Sequence, residues 1–346
     1  MRFIGCKTLL LDNIHNVIKK HVKDAYSFCD IFSGTGTVGR YFKQFYEVYS
    51  NDILYFSYML QKATIEVDEI PQFNVLKDKL NIQDPINFFN FLEDTDMEKL
   101  PKSKRFFQNN YSPIGKRMYI NDSNALRIDF ARNTIEDWWK DSLIDEKEYS
   151  YLLACIVEGI PFVSNTSGTY GAYHKQWDKR TYKKYELCRL PVYTNKKNNK
   201  CFNEDGVNLL KKIKGDILYV DPPYNERQYL PNYHVLETAA KYDNPQLKGT
   251  TGQREYKNQK SDFCSSKTVL PAFENLISNA QFKHIILSYS TDGLMSLNDI
   301  ENIMKKYAKP NSVFIYKIPY RRYKSRKQSN KEELKEILAY MEKPCI

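Results

Sequence analysis

The sequence predicts an α/β protein built on an open, Rossmann-like sheet, and two observations support this fold class. The first is the order of apolar stretch 25–32, glycine-rich turn 33–39, a segment with helical spacing, apolar stretch 47–50 and the acid Asp52. This order is that of a βαβ unit. The second is the apolar stretch 215–220, which is followed by Asp221 and then two prolines and resembles a buried strand leaving a sheet.

The other elements follow from periodicity. Residues 8–22 carry apolar side chains at helical spacing and end in basic residues, which predicts a helix. Residues 130–160 are largely helical in pattern. Three further stretches predict strands, and one predicts an amphipathic helix near the end of the chain: strands at 119–122, 284–290 and 312–318, and a helix at 331–342.

The domain organisation is suggested by a change in composition. Residues 161–206 are rich in Gly, Tyr, Lys, Asn and Arg and contain few aliphatic runs. This shift predicts an inserted module at 130–208, which divides an α/β core into the segments 1–129 and 209–346.

Composition limits the class of protein without naming its function. The 346 residues carry a formal net charge of +10, with 52 Lys+Arg against 42 Asp+Glu, and this is compatible with a polyanionic partner. The 27 tyrosines suit base stacking as well as a core. The seven cysteines form no CxxC pair, so neither a zinc site nor a disulfide framework is expected. Without a membrane-length apolar run or a signal sequence, a soluble, intracellular protein is expected.

The glycine turn and Asp52 predict a ligand site. Gly34 and Gly36 allow a tight bend close to a ligand, and Asp52 stands where an acid accepts hydrogen bonds from a ribose. The spacing alone also fits a dinucleotide site or an ordinary βα turn. No Walker lysine follows the turn, which argues against a phosphate cradle. A cofactor with a ribose, an adenine and a short charged tail fits better, and S-adenosylmethionine is such a cofactor.

The run Asp221-Pro222-Pro223-Tyr224 predicts a second part of the site. The two prolines produce a rigid ledge that carries one carboxylate, carbonyls with no competing N–H neighbours, and an aromatic ring. Such a ledge suits a flat, nitrogen-bearing ligand, because carboxylate and carbonyl accept from an amine while the ring stacks on the plane. A nucleobase amine is a ligand of this kind.

At this point the chain resembles a known family, the D12 class of adenine-specific DNA methyltransferases (the Dam-like α group). The resemblance rests on six stretches in the family's order, running from residue 3 to about 324. They are Phe3-Ile4-Gly5-Cys6-Lys7, Asp30-Ile31-Phe32-Ser33-Gly34-Thr35-Gly36, Asn51-Asp52, Tyr119-Ile120-Asn121-Asp122, Asp221-Pro222-Pro223-Tyr224 and Ser288-Tyr289-Ser290-Thr291-Asp292-Gly293-Leu294. It implies a Rossmann-like, S-adenosylmethionine-dependent methyltransferase sheet with an inserted target-recognition module, in a type II restriction-modification system.

The resemblance implies a role for individual residues. The residues implied to contact the cofactor are Phe3, Lys7, Phe32, Gly34, Gly36, Asp52, Asp122 and Asp221. Among them, Asp122 would lie near the adenine. Phe3 is a departure, since Dam itself has tryptophan there, but an aromatic ring should still stack. Asp221 and the Pro222 carbonyl would accept hydrogens from the target amine, and Tyr224 would stack on a base flipped out of the duplex.

Double-stranded DNA is the expected substrate, and a cognate restriction endonuclease the expected functional partner. Recognition is expected from a basic stretch with interleaved aromatics and from two late arginines, namely Tyr173, Lys175, Lys179 and Arg180, and Arg321 and Arg322. Two alternatives stay open. One is methylation of a cytosine amine in DNA or of adenine in RNA, and the other is a non-catalytic nucleic-acid-binding protein with a methylase fold.

Overall fold

The structure, a computed structural model, describes residues 4–319 and 335–344. The chain divides into two compact units. The sheet unit comprises Lys7–Ile53, Asn195–Gln228 and the described residues from Lys260 onward. The helical unit comprises Leu54–Thr194, Tyr229–Gln259 and the described residues before Lys7.

The sheet unit is organised around one mixed sheet. Its strands are β1 (Ser27–Asp30), β2 (Glu47–Asn51), β3 (Lys200–Phe202), β4 (Lys214–Val220), β5 (Gln281–Ser290), β6 (Phe314–Pro319) and β7 (Lys335–Glu342). They are arranged in the order β3-β2-β1-β4-β5-β7-β6. Strands β1 to β5 pair in parallel, and β7 lies antiparallel between β5 and β6. The predicted α/β, Rossmann-like fold class is confirmed. The strand order reverses between β1 and β4, where open parallel sheets bind their ligands.

The helices are distributed between the two units. In chain order they are α1 (Leu11–His21), α2 (Thr37–Phe42), α3 (Tyr55–Gln61), α4 (Asn74–Leu80), α5 (Pro85–Phe91), α6 (Asp94–Met97), α7 (Phe106–Tyr111), α8 (Asp122–Lys140), α9 (Glu146–Val163), α10 (Gly206–Leu209), α11 (Leu230–Lys241), α12 (Val269–Asn279) and α13 (Leu297–Tyr307). Helices α1, α2, α10, α12 and α13 belong to the sheet unit. The predicted helices at 8–22 and 130–160 are confirmed.

Helices cover both faces of the sheet, which explains why its central strands are continuously apolar. On one face, α1 and α2 pack against Tyr219 of β4 and Leu338 of β7. On the other face, α10, α12 and α13 pack against Val220 and Leu287. Successive residues of β4 therefore point into different cores, and the end of this strand is held rigidly from both sides.

The helix predicted at 331–342 is wrong where the structure describes it, because Lys335–Glu342 forms strand β7. The segment Ile337–Met341 is apolar at five successive positions, and all five side chains are buried. As a helix, these residues would need apolar cover on all sides. As a strand, they bury both faces and find backbone hydrogen-bond partners in β5 and β6.

The helical unit contains α3 to α9 and α11. It includes residues 130–194 of the predicted insertion, together with 54–129 and 229–259, which the sequence analysis assigned to the core. Helix α9 is its central element, with a run of buried residues from Ser150 to Val157. No helix among the described residues is both long and apolar enough to span a membrane.

Candidate active site

The glycine turn connects β1 to α2 and has the backbone geometry that its sequence predicts. Gly34 and Gly36 have φ values of +52° and +75°, in the left-handed region that favours glycine. The Gly36 N–H donates to the Ser33 carbonyl at 2.8 Å, which closes the turn immediately before α2. The turn lies at the carboxyl end of β1, next to the point where the strand order reverses.

Asp52 is joined directly to this turn. It follows β2, and its backbone N–H donates to the Phe202 carbonyl of β3 at 3.3 Å. Its Oδ2 accepts from the Gly34 N–H at 2.8 Å. The carboxylate is therefore fixed against the glycine turn, at the end of the strand beside β1.

A buried acid lies beneath the turn. Asp30 is 1% exposed, and its Oδ2 accepts from the Ser33 hydroxyl at 2.8 Å. The Ser50 hydroxyl in turn donates to Ser33 at 2.7 Å, which links β1, the turn and β2. Burial raises the pKa of Asp30 to about 7 against the lowering effect of Ser33, and the charges of Asp221 and Asp52 add to the rise.

The second half of the site is the segment that follows β4. Asp221 Oδ1 lies 3.0 Å from the Lys7 ammonium, in a pair of which the lysine is 4% exposed as a whole residue. The Tyr224 hydroxyl donates to the same carboxylate oxygen at 2.5 Å. The Lys7 ammonium also lies 4.8 Å from the centroid of the Tyr224 ring. One cation, one carboxylate and one phenol thus form a contiguous group, with Pro222 buried beside them.

The electrostatics of this group follow from its burial. Desolvation raises the pKa of Asp221, while the Lys7 ammonium and the Tyr224 hydroxyl oppose the rise. Burial, followed by the negative charge of Asp221, raises the pKa of Tyr224 well above its ordinary value. The tyrosine therefore stays a neutral hydrogen-bond donor and Asp221 is available as an acceptor.

The stretch after β5 supports Tyr224 from behind. The Leu294 N–H donates to the Tyr224 carbonyl at 3.0 Å, and the Tyr289 ring lies 4.8 Å from the Tyr224 ring. A Cβ at Gly293 would approach the Tyr289 ring to 2.3 Å, so this close packing requires glycine. The segment Ser288–Leu294, whose place in the site was predicted only by resemblance, therefore positions Tyr224 of the segment after β4.

The structure brings most of the predicted cofactor and catalytic residues together in the sheet unit. These are Lys7, Phe32, Gly34, Gly36, Asp52, Asp221, Pro222 and Tyr224. The half-buried Phe32 packs edge-on against Phe263. Phe3, Arg321 and Arg322 lie outside the described residues. Glu336 was not among the predicted site residues, because its segment was predicted to be a helix, and the structure places it on β7.

Asp122 has a different environment from the one the sequence suggested. The strand predicted at 119–122 is wrong, because Asn121 caps helix α8 and Asp122 is its first residue. The side chain of Asn121 accepts from the Asn124 N–H at 2.8 Å, the usual arrangement of an asparagine N-cap. Asp122 Oδ1 accepts from the Ser112 hydroxyl at 2.5 Å and from the Ile114 N–H at 3.2 Å. Within the helical unit, this carboxylate therefore accepts from one side-chain hydroxyl and one backbone N–H, and its place near the cofactor adenine stays a prediction.

The predicted DNA-binding residues Tyr173, Lys175, Lys179 and Arg180 lie in an irregular but well-anchored segment of the helical unit. Lys175 and Lys179 are exposed, whereas Arg180 is half-buried and bonds to Asp178 and the Thr166 carbonyl. The side chains of two buried asparagines form hydrogen bonds with the surrounding backbone. Asn165 bonds to the backbone within 174–178, and Asn124 bonds to the backbone within 181–185. The signal for these anchors in the sequence is weak, since asparagine is abundant throughout the chain.

Comparison with known proteins gives the family. The model of the D12 class N6 adenine-specific DNA methyltransferases matches residues 3–309. The chain belongs to this family. It is 50% identical over 346 residues to the type II methyltransferase M.FokI of Planomicrobium okeanokoites, covering 99% of this chain and 53% of that protein. It is 44% identical over 344 residues to the modification methylase StsI of Streptococcus sanguinis, covering 99% and 52%.

A third relative, the type II methyltransferase M.NlaIII of Neisseria lactamica, is 37% identical over 338 residues, covering 96% of this chain and 95% of that protein. The chain therefore spans about half the length of M.FokI and StsI, but nearly the whole of M.NlaIII. The description of the matched family names an N6 adenine-specific DNA methyltransferase.

Proposed function

We propose that this protein transfers a methyl group from S-adenosylmethionine to the exocyclic N6 amine of adenine in double-stranded DNA. The observation that carries the proposal is the buried Lys7–Asp221–Tyr224 group after β4. It stands in the same unit as the glycine turn and Asp52, at the carboxyl edge of the parallel strands. Membership of the D12 class favours the adenine amine over a cytosine amine or an RNA base as the acceptor.

The residues around the glycine turn fit the cofactor. The left-handed turn at Gly34 and Gly36 brings backbone close to any ligand above it, and the fixed Asp52 carboxylate is suited to ribose hydroxyls. The Phe32 ring and the Lys7 ammonium would hold the methionine portion. When bound, S-adenosylmethionine supplies an electrophilic methyl group on a sulfonium.

Asp221 and Pro222 activate the target amine in this proposal. The lone pair of the adenine amine is delocalised into the ring, so the amine is a weak nucleophile. Hydrogen bonds from its two hydrogens to the Asp221 carboxylate and the Pro222 carbonyl shift the nitrogen toward a tetrahedral form. In this form the nitrogen would be able to accept the methyl group that the bound cofactor would supply. One proton leaves the nitrogen toward Asp221, and positioning supplies a large part of the rate.

The target base must leave the duplex before this step, because its amine is buried in base pairing. Tyr224 would stack on the flipped base. Its ring is held in place by the hydroxyl bond to Asp221 and by the backbone bond from Leu294. A pre-positioned ring reduces the entropy lost when the base is captured.

DNA recognition is proposed for the helical unit. Its exposed basic side chains, including Lys175 and Lys179, would contact phosphates, while Tyr173 and Arg180 would contribute to reading the groove. Relatives with the names "modification methylase" and "type II methyltransferase" support a protective role against a cognate restriction endonuclease.

The decisive experiment is expression in a host that lacks DNA methylation, followed by sequencing of the genomic DNA for modified bases. We expect N6-methyladenine within one short recognition sequence. Methylated cytosine, modified RNA alone or unmodified nucleic acid would contradict the proposal. The Asp221→Asn variant, expressed in the same host, controls for background modification.

A further inference from the structure

Glu336 is a buried carboxylate that the mechanism above does not use. It lies on β7, directly opposite Ser290 of β5. The residue is 8% exposed, and its Oε2 has no hydrogen-bond partner in the part of the chain that the structure describes. A buried polar atom without a partner costs about 1–3 kcal/mol, so its retention calls for a functional reason.

The register of the sheet places Glu336 on the same face as Asp221. Side chains alternate along a strand, so Glu336 shares a face with Leu338, just as Asp221 shares one with Tyr219. Leu338 and Tyr219 both lie in the core beneath α1. Because β5 separates β4 from β7, the two residues flank one strand, and the Tyr224 hydroxyl that donates to Asp221 also acts on the Glu336 carboxylate.

Lys7 also belongs to this face of the sheet. Its carbonyl accepts from the Leu10 N–H at 2.8 Å, at the start of the segment that leads into α1. Leu10 packs in the same core as Tyr219 and Leu338. The side chain of Lys7 thus approaches the row of Asp221 and Glu336 from above the sheet.

The groups that act on Glu336 come from three places in the sheet unit. They are the charge of Lys7 before α1, the charge of Asp221 and the hydroxyl of Tyr224 after β4, and the charge of Asp292 after β5. Burial raises the pKa of Glu336 to about 6, the Lys7 ammonium lowers it, and the charges of Asp221 and Asp292 raise it. Glu336 and Asp221 thus feel the same cation.

We propose that Glu336 is a positioning residue for methyl transfer: its carboxylate competes with Asp221 for the Lys7 ammonium and so keeps Asp221 a strong hydrogen-bond acceptor. A lone Lys7–Asp221 pair would neutralise the carboxylate that must accept from the target amine. A second carboxylate on the same face weakens that neutralisation. The inference rests on the proposed function, since it assigns Glu336 a role in the same reaction.

The test compares wild type with Glu336→Gln and Glu336→Asp in single-turnover methyl transfer between pH 5 and 8. Cofactor affinity is measured in parallel by calorimetric titration with S-adenosylmethionine, and folding by thermal unfolding. Glu342→Gln serves as the matched control, because Glu342 lies on the same strand and pairs with Lys309 away from Asp221. The Glu336→Gln change preserves shape and removes only the charge.

We expect Glu336→Gln to lower the methyl-transfer rate on the order of tenfold at pH 7.5, equivalent to about one pKa unit of lost interaction. In wild type, the methyl-transfer rate should fall as the pH is lowered through about 6, where Glu336 gains a proton. The pH profile of Glu336→Gln should lack this fall. Glu336→Asp should retain it. Cofactor affinity and the behaviour of Glu342→Gln should match wild type.

Three results would overturn the inference while leaving the proposed function intact. The first is an unchanged pH profile of the methyl-transfer rate in Glu336→Gln, and the second is a loss of cofactor affinity with an unchanged methyl-transfer rate. The third is an equal loss of rate and thermal stability in both Glu336 variants with the wild-type pH dependence. The last result would mark a merely structural residue. If wild-type protein transferred no methyl group to any DNA, the proposed function would fail and this inference with it.

Discussion

Buried carboxylates are used in opposite ways in the two units. In the helical unit, Glu237 is fully buried and accepts from the backbone N–H groups of Tyr55 and Phe56 at the start of α3. Asp129 accepts likewise from the first turn of α7. In the sheet unit, Asp221 and Glu336 instead lie on one face of the sheet around the charge of Lys7.

The difference separates carboxylates that stabilise the fold from carboxylates that are available to a ligand. A carboxylate that accepts from helix N-terminal N–H groups satisfies donors that would otherwise be unpaired, so it stabilises its unit. Carboxylates that share one buried cation repel each other and lower stability, but they remain available to a ligand. Such a cluster indicates a functional site, whereas a helix-capping acid does not.

The largest effect on methyl transfer is expected at Asp221. Asp221→Ala should reduce methyl transfer by about a thousandfold or more, since it removes the acceptor of the target amine. Incorporation of a tritiated methyl group measures the loss, and DNA binding should remain measurable. Asp24→Ala, an exposed acid in the same unit, should be active. Methyl incorporation in Asp221→Ala at the wild-type level would remove the catalytic assignment.

In the helical unit, removing a buried carboxylate is expected to lower stability. Glu237→Ala should lower the free energy of unfolding by about 3 kcal/mol, because it leaves the buried N–H groups at the start of α3 without their acceptor. Chemical denaturation measures this change, with the exposed Glu69→Ala as control. Folded Glu237→Ala should still transfer methyl groups, whereas folded Asp221→Ala should not, and an equal loss of activity in both variants would break the comparison.

Tyr224 distinguishes stacking from hydrogen bonding. Tyr224→Ala should slow single-turnover methyl transfer by about a hundredfold, since it removes both the ring and the hydroxyl. Tyr224→Phe and Tyr224→Trp should retain most of the rate, with a smaller loss from the missing bond to Asp221. Equal losses in all three variants would argue against a stacking role.

The smallest effect is a pH dependence of stability from Asp30. Its pKa is about 7 in the folded protein, above the ordinary value, so the folded state binds more protons than the unfolded state below that pH. The free energy of unfolding should therefore fall by about 1.4 kcal/mol from about pH 6 to 8 through this group and level off above it. Urea titrations of wild type and Asp30→Asn at both pH values give the difference. If the free energy of unfolding changed equally with pH in the two proteins, a group other than Asp30 would bind the proton.

Much of the site could be predicted from the sequence, because its features are local. Glycines in a tight turn and paired prolines constrain the backbone directly, and both lie where the strands were expected to end. The wrong predictions concern segments whose secondary structure depends on tertiary contacts. At Asp122, a short apolar pair before an acid resembled a strand end, but Asn121 and Asp122 begin a long helix. The apolar face that distinguishes the two lies downstream of the motif.

The sequence by itself determined the glycine turn, the proline ledge and the family. These depend on steric limits and covalent order within a few residues. Only the tertiary structure decided that Lys7 pairs with Asp221 and that Glu336 lies on the same face of the sheet. Strand β7 forms because β5 and β6 supply hydrogen-bond partners on both of its edges and helices cover both of its faces. Those partners are distant in the chain, so no pattern within 331–342 could reveal them.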